Sequence, residues 1–179
     1  LWPRSGRGRG SPSPSPWVSE RERAYQYLLR LVAVRPRTVE EARERLRRKG
    51  FSTEIVEAVI AQAVEENILD DLLFARLYAE DRAATRPRAR RLIEEELLRK
   101  GVPREVVREA VTRALGERSD AELARAALLR RLPVLRGLPR EVALRRAYAY
   151  LLRRGFTPGV ARATVRELLK ASGEDSEGG

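Results

Sequence analysis

Two features of this chain have residue types and spacing that could do chemistry. One is the adjacent carboxylate pair Asp70–Asp71, and the other is a set of arginine runs, the densest being "RPRARR" at 86–91. Neighbouring carboxylates can ligate a divalent cation such as Mg²⁺. They can equally cap a helix and favour the positive end of its dipole, and Phe74 and Ala75 just behind them suit a structural junction. Arginine offers a planar fork of donors that grips phosphate or carboxylate in bidentate fashion. The sequence contains no His and no Cys. That removes imidazole acid–base work, thiolate nucleophiles, disulfides and nearly every zinc site. A Mg²⁺ enzyme needs carboxylates converging from several elements, and nothing beyond Asp70–Asp71 suggests such a set. We therefore expect no catalytic residue, no metal and no cofactor.

The arginines are unevenly spread. Of the formal net charge of +11, the stretch 117–170 supplies most, with 13 basic residues against 5 acidic ones. Within it lie the pairs Arg130–Arg131, Arg145–Arg146 and Arg153–Arg154, with few acids nearby. The last two pairs are eight residues apart, which places them on roughly one side of a helix. Unpaired like charges repel, and an anionic partner relieves that repulsion. In "RPRARR", Arg86, Arg88, Arg90 and Arg91 either face such a partner or form a solvated face paired at i+4 with Glu94, Glu95 and Glu96. Three lysines, Lys49, Lys100 and Lys170, are the only basic residues that are not arginine. A compositional bias accounts for that as readily as phosphate binding does.

The elements that carry these residues read as helices. Ala24, Tyr27, Leu28 and Leu31 recur with helical spacing, and Pro36 ends that helix. Thr38 with Glu41 makes a capping box for the next one. A further helix starts at Asp70 or Asp71, with Phe74, Leu77 and Tyr78 on one side; Pro87 opens its successor, bearing Leu92, Ile93 and Leu97. Ser119 with Glu122 forms another capping box, opening a helix that stops by Pro133, and Pro139 begins the eighth helix.

Three nearly identical six-letter stretches punctuate the pattern: "LRRKGF", "LLRKGV" and "LLRRGF", starting at Leu46, Leu97 and Leu151. In each, basic residues favour the negative end of a helix dipole. A glycine (Gly50, Gly101, Gly155) then closes the helix in a left-handed conformation, and an apolar residue (Phe51, Val102, Phe156) packs back on the last turn. The helices that follow carry apolar or small pairs at matching offsets: 55/56, 59/60 and 63/64; 106/107, 110/111 and 114/115; 160/161, 164/165 and 168/169. Two independent signals thus indicate an internal repeat of about 50 residues. The expected fold is all-α, three tandem three-helix repeats in an elongated, curved array. The expected segments are a disordered basic leader (1–19), repeats at 20–69, 70–116 and 117–171, and an acidic tail (172–179). No stretch approaches the roughly 20 apolar residues that span a bilayer, and no signal peptide is evident, so a cytoplasmic monomer is expected.

These residues resemble the RecX family of bacterial regulators. The resemblance rests on "AYQYLLRLVAVRPRT", "ARERLRRKGF", "ILDDLLFARLYAEDR", "IEEELLRKGV" and "YLLRRGF", in this order, and covers about residues 22–170. It implies tandem three-helix repeats, binding along the groove of the RecA recombinase filament on DNA, and restraint of strand exchange, ATP hydrolysis and assistance of LexA cleavage. It further implies no catalysis, and direct DNA contact in some members. The family often carries Gly near the start of the fifth helix, where this chain reads "RPRARR". A competing reading is a non-specific DNA-binding protein acting without RecA, since helix, glycine turn and helix resemble a helix-turn-helix. Against sequence-specific readout, helix 52–66 carries Glu54, Glu57, Glu65 and Glu66 and no Arg or Lys.

Overall fold

A computed structural model describes residues 19–174, with side chains through Leu169. Residues 1–18 of the expected leader and 175–179 of the expected tail lie outside the described residues; Ser19 caps the first helix, and the last helix continues through Glu174, into the expected tail. Ten helices follow one another: α1 (Glu20–Val34), α2 (Val39–Arg48), α3 (Thr53–Glu65), α4 (Asp71–Ala84), α5 (Arg90–Arg99), α6 (Arg104–Leu115), α7 (Asp120–Leu129), α8 (Leu132–Leu135), α9 (Arg140–Arg153) and α10 (Pro158–Glu174). The described residues contain no strand. None of their helices is long and apolar enough to cross a membrane.

The helices form two units. One comprises the described residues up to Arg37 together with Ala42–Leu69; the other comprises Thr38–Glu41 and the chain from Asp70 onward. In the first, α1 packs on α3, and Ala24, Leu28, Ala42, Leu46, Val56, Val59, Ile60 and Ala63 are buried. Arg43 and Arg47 both reach Glu57, at 3.0 and 3.1 Å, so that acid on α3 is spent within the unit. In the second, α4 and α5 pack on α6, while α7 and α9 pack on α10. One continuous apolar core runs through both groups, from Ala75 on α4 to Leu168 on α10.

The three glycine corners are built alike. At each, the glycine has positive φ: 97° at Gly50, 80° at Gly101 and 84° at Gly155. The glycine N–H donates to the carbonyl three residues back, and the next N–H (Phe51, Val102 or Phe156) donates to the carbonyl of Leu46, Leu97 or Leu151. This is the double bond of a Schellman turn, and all three of those leucines are fully buried. Asn67, with φ of 56°, closes α3 by the same geometry, Ile68 N–H donating to Ala63 at 2.8 Å. Asparagine tolerates this conformation through its short polar side chain.

Within the second unit one joint is made twice. The first turn of α2 meets the last turn of α5: Thr38 Oγ1 donates to the Lys100 carbonyl at 2.7 Å, and Val39 N–H donates to Asp71 Oδ1 at 2.9 Å. The first turn of α5 meets the last turn of α9 in the same manner. Ala89 N–H donates to the Arg154 carbonyl at 3.0 Å, and Arg90 N–H donates to Asp120 Oδ1 at 3.1 Å. Asp71 and Asp120 are each the first residue of their own helix, and each caps a neighbouring helix at its first residue. Asp70 performs the local job, accepting from Leu73 N–H at 2.9 Å. The Asp70–Asp71 pair is therefore occupied in capping two helices. Among the described residues no cluster of carboxylates is arranged to hold a metal ion.

Four details differ from the sequence expectation. A short helix, α8, sits between Leu132 and Leu135 with Pro133 near its start, so the helix after Pro139 is the ninth. Proline fits there because the first-turn N–H groups have no intrahelical acceptor. Helix α5 opens at Arg90 and not at Pro87, which leaves Arg86 and Arg88 on the connection before it. On α4 the fully buried stripe is Ala75, Ala79 and Ala83, whereas Phe74 and Tyr78 are half-buried and Leu77 is 49% exposed. Small residues let α4 lie close against α6, a contact the larger side chains would hold apart. Finally, Thr38 Oγ1 accepts from Glu41 N–H as expected, but the Glu41 carboxylate also binds Lys100 Nζ at 3.0 Å.

Substituting the corner glycines by alanine yields a graded series. Gly50→Ala meets open space and carries only the strain of positive φ, about 1 kcal/mol. A Cβ at Gly101 comes 2.4 Å from Glu40 Cβ, and one at Gly155 comes 2.7 Å from Leu92 Cβ. Those two variants lose about 1–3 kcal/mol more by crowding, readable as lower urea midpoints. Asp120→Ala removes the cap on α5 and costs about 0.5–2 kcal/mol. Asp120→Asn, which keeps an acceptor oxygen, recovers part of that loss in the same melts.

Candidate functional site

The ten arginines singled out by sequence fall into three groups. The first gathers around the connection between α4 and α5. Arg130 Nη1 donates to the Thr85 carbonyl at 2.9 Å, and Arg154 Nη1 to the Pro87 carbonyl at 3.3 Å. The ring of Tyr150 receives two guanidiniums, Arg154 at 4.9 Å and Arg131 at 5.9 Å from its centroid. Such stacking holds a cation in place without neutralising it. The ends of α7 and α9 are thus tied to the segment that carries Arg86 and Arg88.

Arg88 points inward. Its guanidinium pairs with Glu96, which also accepts from the Tyr78 hydroxyl at 2.9 Å and lies 3.8 Å from Arg82 Nε. Arg82 in turn sits 4.4 Å over the Tyr78 ring. Burial, chiefly, lowers the Arg88 pKa, and the like charges of Arg82, Arg154 and Arg86 add to it. Glu96 thus serves two guanidiniums, Arg88 and Arg82, and Asp81 pairs with Arg82 at 2.5 Å. Two carboxylates therefore face the four guanidiniums gathered around Arg88, and the surroundings keep a positive excess.

The second group is structural. Arg90 gives its N–H to Asp120 and its Nη2 to the Gly116 carbonyl at 2.9 Å, fastening α5 to the end of α6. Arg91 forms an i,i+4 pair with Glu95 on the exposed face. In "RPRARR", then, Arg91 is paired at i+4 as a solvated face, Arg88 is internal and paired with Glu96, and Arg86 is exposed. The basic first turn of α5 needs no partner molecule to compensate its dipole, because Asp120 supplies the negative charge.

The third group is an exposed face. On α9, Ala143, Ala147 and Leu151 are buried, which turns Arg145, Arg146 and Arg153 to solvent. None of these three has an ion pair or hydrogen bond among the described residues. They share one helix with Arg154, whose rivets to Pro87 and Tyr150 fix the helix end.

Three basic residues were missed from sequence: Arg140 at the start of α9, and Arg162 and Arg166 on α10. The signal that reveals them is the i,i+4 spacing of Arg162 and Arg166 in an acid-poor stretch. Asp120 was also missed and acts on a partner 30 residues away, and Glu96, expected to pair at i+4, pairs instead with Arg88 eight residues before it. At the remaining named positions, Gly50, Phe51, Gly101, Val102, Gly155 and Phe156 form corners, and Phe74 stacks on Tyr78 with ring centroids 6.1 Å apart. Lys100 Nζ lies 5.9 Å from the Phe74 centroid and 5.8 Å from that of Tyr78, completing this wall.

Comparison with known proteins supplies the family. Residues 24–62 match the first three-helix domain of RecX, and residues 70–111 match the second. The regulatory protein RecX of Thermobifida fusca (strain YX) is 40% identical over 151 residues, covering 84% of this chain and 81% of that protein. That of Streptomyces coelicolor (strain ATCC BAA-471 / A3(2) / M145) is 36% identical over 156 residues, covering 87% and 82%. Among solved structures, RecX from Lactobacillus salivarius superposes with a TM-score of 0.64 at 17% identity, covering 83% of this chain and 96% of that one. That likeness concerns the fold. With helical triplets, glycine corners and junction carboxylates in place, identity of this extent over most of both chains is decisive: the chain belongs to the RecX family of regulatory proteins.

Proposed function

We propose that this protein regulates homologous recombination and the SOS response by binding the RecA filament on DNA, restraining its recombinase, ATPase and coprotease activities. It does so as a non-enzymatic, cytoplasmic monomer built of three three-helix repeats, 20–69, 70–116 and 117–171. The observation that carries the reading is the unpaired, solvent-facing set Arg145, Arg146 and Arg153 on a helix pinned at its end, in a chain of this family. A pinned cationic helix presents fixed charge to an extended anionic surface, which favours fast and specific encounter. Repeats linked in series engage successive subunits of a filament, and linkage multiplies contacts that are individually weak.

Direct, non-specific DNA contact without RecA is the second reading, favoured by the same three arginines. Phosphate neutralisation makes affinity fall steeply with salt, whereas a filament surface adds contacts that salt does not remove. Helix α3 is poorly suited to reading bases in either case, since it carries Glu54, Glu57 and Glu65 and no Arg or Lys.

Measuring affinity for a nucleotide-locked RecA filament and for bare DNA of equal length, across a salt series, separates the two. The filament is expected to bind more tightly at every salt concentration; equal affinities favour the second reading. Arg145→Glu, Arg146→Glu and Arg153→Glu together leave the melting temperature unchanged and weaken filament binding by about tenfold or more. Where phosphates are the contact, the salt slope drops by about one per arginine lost. Undiminished binding of that variant removes α9 from the interface. Arg154 is left out of the set because it holds the α4–α5 connection.

A further inference from the structure

The basic residues missed in the sequence, Arg140, Arg162 and Arg166, surround an open groove of about 290 Å³ between α9 and α10, lined also by Leu144, Tyr148 and Val165. We propose that this groove docks an acidic protein segment bearing one large apolar side chain. Neither RecA nor DNA enters the argument, so it goes beyond the filament reading.

The charge and the floor together select the occupant. All three arginines are exposed, and none has an ion pair or hydrogen bond among the described residues. Arg162 and Arg166 stand one turn apart on the same face of α10. The acid next to them, Glu167, is engaged with Arg125 at 2.8 Å. Pro139, at the N-cap of α9 beside Arg140, offers no side-chain acceptor to the first turn, so the helix dipole adds to the positive field; the acid of that turn, Glu141, offsets part of it, and the three arginines still outnumber it. Beneath this rim the floor is apolar: Val165 is 6% exposed and belongs to the core, and Leu144 and Tyr148 pack against that core.

A nucleic acid satisfies the rim and wastes the floor. Single-strand binding needs aromatic faces free for stacking, and Tyr148 is half-buried against the core. A peptide carboxylate pair satisfies the arginine forks, and a leucine or phenylalanine between them buries its side chain on Leu144 and Val165. Interfaces commonly centre on such an apolar anchor inside a charged rim.

The test uses the full chain with ¹³C-labelled methyl groups and three probes. These are a twelve-residue Asp/Glu-rich peptide with one central leucine, the same peptide with that leucine replaced by serine, and an oligothymidylate of equal charge. The leucine peptide is expected to shift the Leu144 and Val165 methyl signals and to bind about fivefold or more tighter than the serine peptide. Arg162→Glu with Arg166→Glu weakens it by about tenfold. The pair Arg104→Glu and Arg108→Glu, on the exposed side of α6, makes the same charge change and leaves it within about twofold. Arg162→Gln with Arg166→Gln repeats the test with smaller perturbation should the reversed pair melt early.

Equal binding of leucine and serine peptides overturns the proposal. So does stronger shifting of the two methyls by the oligonucleotide, an equal loss in the α6 control, or no methyl shift at millimolar leucine peptide. Filament affinity is read separately. A groove variant that binds the filament normally but loses the peptide upholds this inference, and an unmodified chain that binds the leucine peptide but not the filament overturns only the filament reading.

Discussion

The second unit depends on one constraint: the last turn of a middle helix must lie flush against the first turn of the preceding middle helix. Helix ends leave carbonyls without partners at one terminus and N–H groups without partners at the other. Here each end serves the other. Lys100 and Arg154 present free carbonyls, and Thr38 and Ala89 fill them. The remaining N–H at each junction goes to a carboxylate from a third helix, Asp71 or Asp120. A bulkier residue at either corner would part the two ends and orphan these groups together, which is why glycine is required there for space as well as for backbone angle.

The placement of arginines follows from that joint. A helix whose first turn is capped by a neighbour's aspartate tolerates a basic opening, so "RPRARR" can stand where a local acidic cap would otherwise be preferred. Arg88 then turns inward to Glu96, and Arg154 and Arg130 reach back to the same connection. Several of the most suggestive arginines in the sequence thus hold the protein to itself. The cations left for a partner are those whose helix faces solvent and whose neighbourhood lacks acid.

Much of the fold was legible because its rules are local. A Schellman turn needs a glycine, a buried leucine four residues before it and an apolar residue after it, all within six letters, and the three corners were recognisable from those letters alone. The apolar pairs of α3, α6 and α10 lie one turn apart, and most of their members turn to the core as spaced, Thr164 included at 4% exposure; Val64, in the last turn of α3, departs from the pattern at 45% exposure. Helix α8 was not legible, because four residues give no periodicity to detect. The buried alanine face of α4 was obscured by Phe74, Leu77 and Tyr78, whose size draws attention to the wrong side of the wheel. At the site, charge counts located the acid-poor region but could not sort rivets from free cations, since Arg130 bonds 45 residues away and Arg154 bonds 67 residues away.

The absence of histidine and cysteine has a consequence for control. No side-chain type present has an ordinary pKa between about 5 and 9. Across the acidity range of living cells the side chains therefore present a fixed electrical charge, blind to protons and to thiol oxidants. What can vary is the ionic atmosphere around the arginines and the state of whatever surface they meet, so sensitivity to conditions must be borrowed from counterions and from the partner.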